Sequence, residues 1–137
     1  MTRDLHEKLG TVTPENLIAK LDPPALKEPG VIRKLGTAGT LKRGTLLAKS
    51  SGSAGDGKLV IFGTSAASNE TLTADCILVN DVDVGTTADE NALVFVSGNF
   101  NEDALILKAG ASLTEADRTD LRMRGIILGG SQGENVL

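Results

Sequence analysis

The sequence predicts a mainly β protein: a small β-sandwich or barrel-like domain with one short helix in its C-terminal half and an extended N-terminal arm. Three observations predict it. All four prolines (Pro14, Pro23, Pro24 and Pro29) fall in the first 36 residues, which carry no sustained strand or helix period. From Thr40 onward, short runs rich in β-formers alternate with Gly- and Ser-rich loops. One stretch, Thr114 to Gly125, carries both a start and a stop signal for a helix. The expected organisation is an arm over residues 1–39 and a compact β-rich domain over 40–137.

In the arm, Thr13 is placed as an N-cap and Pro14 as the first helical residue, which puts Leu17, Ile18 and Leu21 on one face of a short helix. Asp22-Pro23-Pro24 ends it within about two turns. Isolated helices that short are marginal in water, so the segment is expected to need a partner surface. Val31 and Ile32 add apolar side chains with little of their own to pack against.

The domain opens with Leu46-Leu47-Ala48-Lys49, a short apolar run, and a flexible loop from Ser50 to Gly57. Leu59-Val60-Ile61-Phe62 is a dense strand pattern, followed by a second loop from Gly63 to Glu70. Cys76 to Val84 reads as one strand, continuous at first and alternating at its end, as if passing from doubly buried to half-exposed surroundings. Gly85 to Asn91 joins it in hairpin fashion to Ala92–Phe100, the strongest strand pattern in the chain. Leu105-Ile106-Leu107 is a further short run. Thr114 with an acid at Asp117 fits a capping box, Arg118, Arg122 and Arg124 suit the later turns, and Gly125 suits the stop. Ile126-Ile127-Leu128 returns as a strand ended by Gly129-Gly130. Because the β patterns all follow Thr40, the domain is expected to fold without residues 1–36.

Composition narrows the function. The 137 residues suffice for one domain. The 40% apolar share is nearly all aliphatic: there are three Phe and no Trp or Tyr. Phe62, Phe95 and Phe100 lie inside apolar runs and read as core, which leaves no aromatic platform for bases. A net charge of −4 provides no basic footprint for a duplex. Nucleic acid is not an expected partner. Cys76, the single cysteine, excludes an intrachain disulfide and a Cys-rich zinc site, and reads as a buried small hydrophobe. His6, the single histidine, is too close to the terminus to build a nucleophile–base pair readily. The segment Met1 to Lys8 lacks a signal-peptide apolar region, and the longest apolar run falls far short of the ~20 residues that span a bilayer. Synthesis in a cytosol, as a soluble chain with no membrane partner, is expected, and the sequon Asn69-Glu70-Thr71 then carries no weight.

Three motifs invite chemistry and none sustains it. Gly39 to Gly44 has phosphate-loop glycine spacing, but Thr45 stands where a Lys must reach the phosphates, so a tight turn entering a strand is expected. Asp81-Val82-Asp83-Val84-Gly85 resembles the start of a calcium loop, yet the twelfth position is Ala92 instead of a bidentate Glu. The acid pairs Asp89-Glu90 and Glu102-Asp103 end apolar runs, where carboxylates are normally solvated. No catalytic, cofactor-binding or metal-binding residues are expected, and the protein is not expected to be an enzyme.

Three stretches in order resemble the phage head decoration protein family, whose lambdoid members are best known. Glu15-Asn16-Leu17-Ile18 through Pro23-Pro24 to Leu41-Lys42-Arg43-Gly44-Thr45-Leu46-Leu47 resembles that family's N-terminal arm and the start of its domain. Thr73 to Leu78, through Val94-Phe95-Val96-Ser97-Gly98-Asn99-Phe100-Asn101, is similar to its central strands, where a Gly-x-Phe step ends the second. Thr114 to Leu128 resembles its helix and last strand. The resemblance covers roughly residues 14–130. It departs from the lambdoid pattern in lacking Trp and Tyr and in the Ser/Gly loop over 50–57.

The resemblance implies a homotrimer on the outside of the expanded capsid at local three-fold positions, bound to the major capsid protein and reinforcing the head against DNA pressure. On that expectation the capsid-contacting residues are Leu17, Ile18, Leu21, Pro23, Pro24, Val31 and Ile32. Another virion β module, for attachment of a tail or fibre, is the alternative. A small trimeric enzyme of dUTPase type needs a substrate-stacking Tyr that this chain lacks.

Overall fold

A computed structural model describes residues 16–129. Its strands are β1 (Ile18–Lys20), β2 (Leu26–Ile32), β3 (Gly39–Leu41), β4 (Leu46–Ser51), β5 (Leu59–Ile61), β6 (Thr71–Leu78), β7 (Val82–Val84), β8 (Glu90–Asn101) and β9 (Ile126–Gly129). A single 3-10 turn covers Glu102–Ala104, and the helix α1 covers Glu115–Arg124. The protein is mainly β, as its sequence predicts.

The sheet is barrel-like because its pairings close a ring. β8 pairs with β2, β2 with β5, β5 with β4, β4 with β6, and β6 with β8 again. β8 is long enough to do more. Beyond the ring its Asn99 and Phe100 pair with β1, and Gly98 to Asn101 run parallel to β9. The seam between β2 and β5 is narrow: the pair Ile32↔Leu59, extended by the Arg33 N–H donating to the Leu59 carbonyl at 2.9 Å.

The alternation of the pleat divides the core in two. Leu46, Ile77 and Phe95 face one cluster with Leu17, Phe100, Leu121 and Ile126. Their chain neighbours Leu47, Cys76, Leu78 and Val94 face the other, with Ile32, Leu59, Leu41 and Val84. These strands are buried on both faces, which is why they read as continuous apolar runs.

The helix forms as its sequence signals require. Thr114 Oγ1 accepts from the Asp117 N–H at 3.2 Å, the Asp117 carboxylate accepts from the Thr114 N–H at 2.9 Å, and Gly125 ends the helix in the left-handed region. Only Leu121 of α1 is fully buried. Two ion pairs fix the helix instead: Arg118 grips Glu102 through two hydrogen bonds at 2.9 and 2.7 Å, and Arg124 meets Asp75 of β6 at 2.9 Å.

Three expectations need correction. The short helix expected near Leu17–Leu21 is strand β1 over Ile18–Lys20, because β8 offers it a free edge; Thr13 and Pro14 lie outside the described residues. The described part of the expected arm is not separate from the domain, since β1 and β2 pair with β8 and carry Leu17 and Ile32 into the two clusters. Cys76 to Val84 is not one strand. β6 starts earlier, at Thr71, and ends at Leu78; β7 turns away to pair with β3, so the link to β8 is no hairpin.

Candidate functional site

The seven candidate contact residues divide by burial. Leu17 and Ile32 are fully buried, one in each cluster. Ile18 is half-buried opposite Phe100, and Pro23 is half-buried in the link between β1 and β2. Leu21, Pro24 and Val31 are exposed, with Leu21 at 87% and Val31 at 40%.

Backbone and side-chain hydrogen bonds seat this stretch. Asn101 donates its backbone N–H to the Leu17 carbonyl at 2.8 Å and its side-chain amide to the Asn16 carbonyl. Ser97 Oγ donates to the Pro24 carbonyl at 2.9 Å. Gly98 makes the approach possible: with φ at +143°, a Cβ there would lie 2.7 Å from the Phe100 ring and 3.2 Å from Ala25 Cα.

Two further exposed residues extend the surface, and sequence reasoning missed both. Leu26, at 55% exposure, begins β2, and Leu93, at 42%, lies on β8. In the β2–β8 register Pro29 is opposite Leu93 and Val31 is opposite Asn91, so Pro29, Val31 and Leu93 share one sheet face. The continuous run Ala92–Val96 hid Leu93, because its neighbours Val94 and Phe95 are buried on opposite faces. Only the register with β2 separates them.

Elsewhere the polar groups are used inside the fold. Gly39 to Thr45 is strand β3 followed by a turn in which Thr45 Oγ1 donates to the Lys42 carbonyl at 2.7 Å. Asp83 accepts from Thr40 Oγ1 at 2.5 Å, and Asp81 accepts from the Arg43 N–H at 2.8 Å. Asp89 and Glu102 are ion-paired where solvation was expected. The Lys58 ammonium at 2.5 Å holds the Asp89 carboxyl below the usual carboxylate range, and the Arg118 guanidinium does the same for Glu102. Burial pushes the Cys76 thiol far up, away from nucleophilic thiolate. Among the described residues no three His, Cys, Asp or Glu side chains are grouped to hold a metal ion, and no helix is long and apolar enough to cross a membrane.

The class that fold and surface define is a mainly β, barrel-like domain with several carboxylates in ion pairs and apolar side chains exposed along one strand pair. The family model of bacteriophage lambda head decoration protein D matches residues 8–126. The chain belongs to that family of phage head decoration proteins. No curated protein matches the sequence.

Proposed function

We propose that the protein binds the outside of the expanded phage capsid as a homotrimer at three-fold or quasi-three-fold positions and stabilises the head against internal DNA pressure. The family match over residues 8–126 carries this reading. The major capsid protein is the partner, the virion surface is the location, synthesis is in the host cytoplasm, and no catalysis is involved.

The contact surface in this reading is the exposed part of the candidate set, Leu21, Pro24 and Val31, enlarged by Leu26 and Leu93. Leu17 and Ile32 are buried in the two core clusters and Ile18 and Pro23 are half-buried, so they are left out of that surface. Fully burying a Leu or Val side chain contributes roughly 1.5–3 kcal/mol, so a few such residues give modest binding by one chain. Three copies held together add a gain on the order of 10²–10⁴ in avidity when their spacing matches the site.

The test is cosedimentation with expanded, undecorated capsids of the same phage. The wild type is expected to pellet with capsids at saturable occupancy of three copies per three-fold position. Failure to bind, or saturation at a number that is not three per position, overturns the reading. Leu21→Asp combined with Leu93→Asp is expected to reduce occupancy while leaving the melting temperature within a few degrees. Normal occupancy of that variant places the contact on another face.

A further inference from the structure

The sequence contains one Asp-Gly step, Asp56-Gly57, and no Asn-Gly step. Such a step carries its own chemistry. The glycine nitrogen attacks the aspartate Cγ and an N–Cγ bond forms. A Cγ–O bond breaks, and the oxygen leaves as water with the nitrogen's proton and the carboxyl's proton. The resulting succinimide takes up water at either carbonyl, restoring aspartate or giving isoaspartate, in which the main chain runs through an extra methylene. Glycine favours the attack because no side chain shields its nitrogen.

We propose that Asp56-Gly57 is a latent isoaspartate-forming site and that Arg33 keeps it silent. Both reacting groups are engaged by hydrogen bonds to other residues. Arg33 Nε donates to Asp56 Oδ2 at 3.0 Å and its terminal nitrogen to Oδ1 at 2.9 Å. Oδ1 also accepts from the Lys58 N–H at 3.0 Å, so the carboxylate points past Gly57 to the residue after it. The Gly57 N–H donates to the Ser50 carbonyl at 3.1 Å, and the Asp56 N–H to Ser50 Oγ at 3.2 Å. Ring closure must break the two-pronged Arg33 contact, protonate the carboxylate and free the glycine nitrogen together. Charge-assisted bidentate pairs of this kind are among the stronger polar contacts.

Arg33 is in turn fixed from both sides. Its backbone N–H closes the seam onto Leu59, and its guanidinium reaches Glu70 at 2.6 Å. The Arg33 contact holds the Asp56 carboxyl down at about 2, which keeps the leaving oxygen ionised at neutral pH. The position matters because the extra methylene would fall between Ser50 and Leu59, three residues ahead of the Ile32↔Leu59 pair that joins β2 to β5. Isoaspartate there would loosen the narrowest join of the ring.

The experiment holds the full chain at neutral pH and body temperature for weeks, folded in buffer and unfolded in guanidinium chloride. Isoaspartate at position 56 is quantified by peptide mapping and by isoaspartyl methyltransferase labelling. The folded protein is expected to accumulate it at least about tenfold more slowly than the unfolded chain, since each unit of carboxyl pKa lowers the protonated fraction tenfold. Folded Arg33→Ala is expected to accumulate isoaspartate several-fold faster than the folded wild type, and Asp56→Glu to abolish the signal. Equal rates in the folded and unfolded wild type overturn the silencing, whether or not Arg33→Ala folds. A folded Arg33→Ala with the wild-type rate overturns the role of Arg33. Absence of isoaspartate in the unfolded chain overturns the site itself.

Discussion

Arg33 draws its surroundings into one network, and Glu70 is the member most enclosed by it. The Glu70 carboxylate accepts from the Ala67 N–H at 2.9 Å, from Ser50 Oγ and from Arg33. Those three donors, the Ala67 amide first, hold its carboxyl down at about 2, and Arg33 holds Asp56 there as well. A carboxyl whose pKa is lowered by folding adds stability above its unfolded value, near 4, and that stability is lost as pH falls toward the folded value. The melting temperature is therefore expected to drop between about pH 4.5 and pH 2, after any general acid effect is matched in a control variant. Glu70→Gln is expected to melt lower than wild type at pH 6 and to show a shallower decline below pH 4.5. A parallel pair of curves would mean that Glu70 is not among the groups responsible. No local pattern announces this network: Arg33, Ser50, Asp56 and Glu70 come from separate loops and strand ends, and only the closed ring brings them together.

At the scale of elements, the boundary between arm and domain is the clearest difference between sequence and structure. β4, β5, β8, β9 and α1 with both caps are legible because periodicity, Gly/Ser loops and capping residues are local signals, whereas the break between β6 and β7 is not. β1 and β2 are not legible, for equally physical reasons. β1 has three residues, and β2 contains Pro29, which is tolerated because the strand is paired along most of its length on one side only. Both owe their conformation to β8, which is distant in the chain. The consequence reverses the expectation from sequence. Deleting residues 1–36 is expected to abolish the cooperative thermal transition, since it removes β1, β2, Leu17 and Ile32 from the core. Leu17→Ala alone is expected to destabilise by about 2–5 kcal/mol, the usual range for a buried Leu. A truncated chain that still melts cooperatively would restore the arm as a separate unit. The candidate surface was legible to the same limited degree: exposed Leu21, Pro24 and Val31 were within reach of sequence, while Leu93 required the register.

For the whole molecule, the ring sets the order in which the chain can become a protein. Ser97 reaches Pro24 across 73 residues of sequence, and Asn101 reaches Asn16 across 85. Long-range pairings of this kind delay folding, because loop closure precedes the contacts that reward it. On the ribosome, β1 and β2 are expected to wait for β8 to emerge before they find their partner. Chains stalled before Glu90 clears the exit tunnel are expected to be degraded rapidly in a pulse of protease, whereas chains released at full length are expected to resist it. Resistance in the shorter chains would show that the early strands have another partner. With the last ring strand so late in the sequence, the protein is made first and shaped afterwards. Its exposed early segment therefore spends that interval within reach of chaperones, proteases and other nascent copies of itself.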